Sequence, residues 1–149
     1  MYRKLLLASA LLMLAPAAFA AGNCSVDLEG NDQMRFNLSS ITVPSSCQQF
    51  TINLKHVGTM AKTVMGHNVI VAKTSDMRGI ETDGIRAGLA ADYVKAGDTR
   101  VVVHSRVIGG GETASVTFPV AKITSGGPYS FFCSFPGHAA LMKGTITVQ

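Results

Sequence analysis

The sequence predicts an all-β domain: an antiparallel Greek-key β-sandwich or barrel of about eight strands, with one short helix inserted. Three observations carry this. Apolar and polar residues alternate with a period of two over several short segments, as half-buried strands require. Clusters of Gly, Pro, Asn and Ser break the chain at intervals of about 8–12 residues, the spacing of sandwiches and barrels. Only one stretch shows a helical period instead.

Ser25 to Gly30 is a weak strand. Met34 to Val43 is interrupted by polar residues, ends in Ile41-Thr42-Val43 and is broken by Pro44-Ser45-Ser46. Within it, Asn37-Leu38-Ser39 has the form of a glycosylation sequon but reads as a turn. Phe50, Ile52, Leu54 and His56 alternate with Thr51, Asn53, Lys55 and Val57, the clearest strand of the chain. Asn68 to Ala72 is a continuous apolar run. Arg100 to Ile108 is rich in valine and is followed by Gly109-Gly110-Gly111. Ala114, Val116, Phe118 and Val120 alternate with small polar residues. Tyr129 to Cys133 follows the turn signal Gly126-Gly127-Pro128, and Gly144 to Val148 closes the chain. The helix is expected where Ile85, Leu89 and Tyr93 fall four apart, on one helical face. Gly79, Gly84 and Gly88 keep it short.

The chain has 149 residues, 47% hydrophobic and 15% charged. The apolar excess is concentrated at the start. Residues 1–20 combine basic Arg3 and Lys4, a Leu/Ala/Met run from Leu5 to Leu14, and Ala18-Phe19-Ala20, the pattern of a cleaved secretory signal peptide. The run is too short to span a membrane, which takes roughly 20 residues. Residues 21–149 are then expected to form a single domain. Without Arg3 and Lys4 the formal charge falls from +4 to +2. No clustered basic stripe remains for a nucleic acid, and no membrane span remains in the mature chain.

Export places the three cysteines, Cys24, Cys47 and Cys133, in an oxidising compartment. Three allow one disulfide and leave one sulfur, as an intermolecular crosslink, a ligand or a nucleophile. The segment from Cys133 to Met142 (C-S-F-P-G-H-A-A-L-M) holds a thiol, an imidazole and a thioether at the spacing C-x4-H-x3-M. It lies between two strands, so its ends are pinned, and Pro136-Gly137 forces a turn that can bring Cys133 and His138 to one centre. His67 follows Gly66 at the start of an apolar strand. Two imidazoles, a thiolate and a thioether form the soft N/S set of a blue-copper site. Zinc prefers more thiolates in structural sites, and iron–sulfur clusters generally take four. Four protein donors leave no position for a substrate, which points away from an enzyme. A hydrolase using Cys133 and a histidine lacks a third group or an oxyanion signature. A copper chaperone or storage protein would favour exposed Met- or Cys-rich ligands.

These residues resemble the azurin branch of the cupredoxin family, small bacterial type 1 (blue) copper proteins. The same pattern runs through Asn31-Asp32-Gln33-Met34, Val64-Met65-Gly66-His67-Asn68, Thr82-Asp83-Gly84, Asp92-Tyr93, Ser115-Val116-Thr117-Phe118 and Phe131 to Gly144, covering residues 22–149. The resemblance implies a plastocyanin/azurin-type domain with one copper ion, held by His67, Cys133 and His138, with Met142 as a long ligand and the Gly66 carbonyl as a weak opposite one. It implies that Asn68 and Phe135 support the ligands from behind, and that Cys24 and Cys47 pair. It implies an apolar docking patch of Met60, Met65, Ile85, Pro136, Ala140 and Leu141 around the His138 edge. The implied activity is periplasmic one-electron transport, cycling Cu(II)/Cu(I). The implied partners are c-type cytochromes and reductases or dehydrogenases such as nitrite reductase or amine dehydrogenase, met by a monomer in weak, transient complexes. One departure is Val69, where the family often has a buried Trp; this chain has none.

The other polar residues read plainly. His56 shares the inward face of Phe50, Ile52 and Leu54, as a satisfied core histidine with scope for a weak pH effect on potential. His104 reads as surface. Asp27, Asp76, Asp83, Asp92 and Asp98 are scattered and read as solvated positions and caps.

Overall fold

The computed structural model describes residues 23–149. The signal peptide expected over residues 1–20, and its junction with the domain at residue 21, lie outside the described residues. Among the described residues nine strands form two sheets: β1 (Ser25–Asn31), β2 (Arg35–Phe36), β3 (Ser40–Val43), β4 (Gln49–His56), β5 (Ile70–Lys73), β6 (Val101–His104), β7 (Thr113–Pro119), β8 (Tyr129–Phe132) and β9 (Lys143–Val148). Helix α1 (Lys62–Met65) is a single turn, and α2 (Met77–Ala87) is the one substantial helix. One sheet has the order β2-β1-β4-β7 and the other β3-β9-β8-β5-β6. Among the described residues no helix is long and apolar enough to cross a membrane.

The expected architecture is present, with corrections of detail. The sandwich is mixed rather than antiparallel throughout. β1 runs parallel to β4, Leu28 opposite Leu54, and β3 runs parallel to β9, Ile41 opposite Ile146. A period of two identifies a buried face but is blind to strand direction. The segment from Met34 to Val43 is two strands, because the chain bends between Phe36 and Ser40, where the Asn37 side chain accepts a hydrogen bond from the Glu29 amide at 2.8 Å. In the valine-rich segment Ile108 forms an isolated bridge to His67, and the strand runs only from Val101 to His104. Beyond it the Ser105 hydroxyl, accepting from the Val69 amide at 3.0 Å, starts the departure from the sheet.

Phe50, Ile52 and Leu54 of β4 meet Val71, Phe131 and Ile146 of the opposite sheet in the main core. β8 is buried at all four positions. One of its faces lies in that core, and Phe132 packs outward with Ile70 and Ala72 against Ile80 of α2. Burial on both faces explains why the β5 region reads as a continuous apolar run. Val69 is fully buried in the main core.

The helix lies earlier than the apolar spacing placed it. α2 ends at Ala87, and Gly88 follows with φ +78°. An L-residue strains at such an angle, so Gly88 stops the helix between the two apolar residues read as neighbours on one face. Leu89–Ala91 then form a single tight turn, and Asp92 and Tyr93 both take positive φ. Gly84 lets this return segment close down: a side chain there would meet the Tyr93 carbonyl at 2.0 Å.

Candidate metal centre

The centre lies at one end of the sandwich, where three separate connections converge. His67 stands just before β5, and its backbone is tied in both directions to Ile108 across the top of the sheets, at 3.0 and 2.8 Å. Cys133 follows β8 directly. His138 and Met142 belong to the connection from β8 to β9, which Cys133 closes by donating its amide to the Met142 carbonyl at 3.0 Å. Gly137, with φ +82°, makes the turn that sends His138 back toward Cys133. The His138 carbonyl then accepts from the Met142 amide at 2.7 Å.

His67, Cys133 and His138 are all buried, and each offers one donor atom within 4.8 Å of the others. Cys133 Sγ lies 3.7 Å from His138 Nδ1 and 4.0 Å from the Gly66 carbonyl oxygen. His67 Nε2 contacts the Asn31 carbonyl at 2.9 Å, while its Nδ1 is buried without a partner. A buried ring nitrogen left without a hydrogen bond is costly unless something else takes its lone pair. An opposing pair of nitrogens and a sulfur is what a soft metal ion satisfies, so the residues fit one metal ion held between them.

The surroundings are apolar. Cys133, Val107, Phe135 and Met142 form one buried cluster. Gly30 brings β1 so close that a side chain there would meet His67 Cδ2 at 2.8 Å and the Met142 methyl at 3.2 Å. Desolvation dominates the acid–base chemistry. It pushes the Cys133 thiol up to about 12, against weaker opposing hydrogen bonds from the Asn68 and Phe135 amides. It lowers His138 to about 4, helped by the nearby His67 and His56. His67 is lowered as well, again chiefly by burial. Both imidazoles are therefore neutral donors at physiological pH.

Asn68 links the converging pieces. Its side-chain oxygen accepts from the Ser134 amide at 2.8 Å, and its Nδ2 donates to the Ser134 hydroxyl and to the Asp92 carbonyl, each at 2.8 Å. Asp92 in turn accepts from the Val107 amide through its carboxylate at 2.7 Å.

The sequence reading of Asp92 as a solvated position therefore needs correction: its left-handed backbone and its two contacts hold the outer wall of the site. Asp83 and Asp98 are corrected too, since both bind Arg100 Nη2 at 2.6 Å. His56 is inward-facing as expected, its Nε2 3.1 Å from the Asp32 carboxylate, but its Nδ1 has no partner. Its ring lies 4.3 Å from that of His67. Asp32 also accepts from the Thr59 and Met60 amides at 2.9 and 3.3 Å. Sequence reasoning missed this role of Asp32, as it missed those of Asn31, Ser134 and Asp92, because backbone partners leave no mark on residue type. His104 is exposed, as read.

Of the six residues expected in an apolar patch, Met60, Ile85 and Leu141 are about half exposed, at 44%, 47% and 50%. Pro136 and Ala140 are exposed and Met65 is half-buried. Val64, not anticipated, is the most exposed large apolar residue at 62%.

With this geometry in view, comparison with known proteins is direct. A family model described as copper binding proteins, plastocyanin/azurin family, matches residues 22–149. An azurin of Bordetella pertussis is 55% identical over 146 residues, 98% of this chain and 97% of its own. An azurin of Pseudomonas aeruginosa is 54% identical over 149 residues, all of both chains. An azurin of Alcaligenes faecalis is 61% identical over 123 residues, 83% of this chain and 96% of its own.

Proposed function

The chain belongs to the plastocyanin/azurin family of copper-binding proteins, and on that footing we propose that it carries single electrons between redox proteins of the periplasm. The observation that carries the proposal is the buried His67–Cys133–His138 triangle with its unpartnered His67 Nδ1. In this reading His67, Cys133 and His138 would hold the ion, with the Met142 thioether as a fourth, weaker donor and the Gly66 carbonyl as a further weak one. Copper bound there supplies a one-electron Cu(II)/Cu(I) couple.

The protein's own contribution is rigidity, dryness and access. Asn68 and the Cys133–Met142 backbone bond hold the donors in place, so little has to move when the charge of the site changes. Orienting contacts of this kind tune ligand donation. Val107, Phe135 and Met142 exclude water. Of these four side chains His138 alone has any exposed area, 3% against 0% for the others. That area lies beside exposed Pro136, Ala140 and Leu141, so this is the edge a partner would touch. The apolar patch is read as the docking face for c-type cytochromes, reductases and dehydrogenases, in short-lived complexes. The Cys24–Cys47 disulfide supports an oxidising compartment, consistent with export.

A copper chaperone is the competing reading, and burial of the donors in a rigid frame favours the carrier. The discriminating experiment mixes copper-loaded protein either with a c-type cytochrome or with a chelator. Fast electron exchange with slow copper transfer is expected; rapid handover with negligible exchange would establish a chaperone instead.

A further inference from the structure

Beside the loop that carries His138 lies an open groove of about 700 Å³. One wall is α2, through Arg78 and Glu81; the other is the start of β9, through Lys143; Ala139 and Ala140 join them. Arg78 and Lys143 are exposed. Among the described residues the Lys and Arg side chains in ion pairs are Arg86, Arg100 and Arg106. Neither groove cation is among them, and Glu81, half-buried in the same groove, pairs with neither. Other exposed cations among the described residues, such as Lys95 and Lys122, are unpaired too; Arg78 and Lys143 differ in lining one groove beside the proposed electron-transfer edge.

We propose that this groove is a docking subsite for a carboxylate-bearing loop of the redox partner, held by Arg78 and Lys143. The inference rests on the electron-carrier reading and adds the chemistry of the partner to it. Three features support it. The charge is complementary: two cations against one carboxylate leave the groove positive. The groove is continuous with the proposed contact face, since Ala140 lines it and Leu141 and Pro136 flank the same loop. Its wall also offers the Thr145 hydroxyl, which can hydrogen-bond an incoming carboxylate; Ser75 and Thr74, also in the lining, are already bonded to Asp76 and Ser130. The apolar patch supplies close approach with little orientation. A charged subsite to one side steers the encounter and fixes how the partner sits on His138. Glu81 opposes the interaction, so its removal strengthens docking.

The test measures second-order electron-transfer rates of the copper-loaded full-length mature protein with two forms of one probe. These are cytochrome c made acidic by succinylation of its lysines, and unmodified basic cytochrome c. At low ionic strength the R78Q/K143Q double variant is expected to slow the reaction with the acidic form about five- to tenfold and to speed that with the basic form. E81Q is expected to shift both rates the other way. The effects should fade at high salt, where exposed charges are screened. A K95Q/K122Q control removes the same net charge from exposed sites outside the groove and is expected to change the rates far less. Equal slowing by groove and control pairs, or no change in the groove variant, would overturn the inference. Wild-type protein that binds copper but exchanges electrons with neither form would contradict the carrier reading itself. Exchange with both forms that ignores the groove contradicts only the subsite.

Discussion

Asn68 ties together three parts of the metal centre that lie far apart in the chain. Its amide satisfies the Ser134 backbone and hydroxyl next to Cys133 and the Asp92 carbonyl on the return from α2. Truncation would leave the buried Ser134 amide without a partner, at a cost of about 2–3 kcal/mol. We therefore expect Asn68→Ala to lower the unfolding free energy of the metal-free protein by that amount, read as a lower urea midpoint with an unchanged denaturant slope. A loss within about 0.5 kcal/mol would mean that Ser134 finds another acceptor. The convergence of Cys133, His138 and Met142 was legible in the sequence, because thiol, imidazole and thioether at C-x4-H-x3-M have few other reasons to occur together. Their support was not. The Asn31 carbonyl behind His67 and the left-handed Asp92 depend on where the chain passes, and residue type says nothing of that. Asp32 stood in the Asn31-Asp32-Gln33-Met34 motif with no role assigned to it, yet it caps two backbone amides and meets buried His56.

At the scale of elements, the connection from β5 to β6 shows both what patterning reveals and where it stops. A helix was legible there, but Gly88 ends it after Ile85 and before Leu89 and Tyr93, the other two residues that suggested its face. What fixes α2 to the β6 end is a charge cluster: Arg100 joins Asp98 within its own turn to Asp83 on the helix. Hydrogen bonds from Arg100 hold the Asp98 carboxyl below its usual value. The folded pKa is depressed, so the stabilisation is fully present above the unfolded carboxylate value, about 3.9, and is lost as pH falls through the folded one. Arg100→Gln is accordingly expected to cost about 1 kcal/mol between pH 5 and 8. In thermal melts its deficit against wild type should be flat over that range and shrink below about pH 4. A deficit that grows on acidification would contradict the pairing.

For the whole molecule, the disulfide and the odd cysteine divide the labour. Cys24 at the start of β1 is bonded to Cys47 just before β4, with Cα atoms 5.7 Å apart and a sequence separation of 23. It closes the segment holding β2 and β3 beside the parallel β1–β4 pair, a pairing that local patterning left hidden. Closing a loop of that length stabilises the fold by roughly 3–4 kcal/mol on the chain-entropy view. Thiol titration of the denatured, unreduced, metal-free protein is expected to find one free thiol, at Cys133. Three would mean that the disulfide does not form, and none would mean that Cys133 is consumed in a crosslink. The third cysteine is buried at the convergence of three loops, 3.7 Å from an imidazole nitrogen, with no sulfur partner. The most direct test of the account is the visible absorption of the metal-free protein on adding Cu(II), for wild type and for Cys133→Ser. We expect an intense blue thiolate-to-copper band that saturates at about one equivalent and is absent in the variant. A colourless one-equivalent complex in wild type, or a band that survives Cys133→Ser, would contradict it.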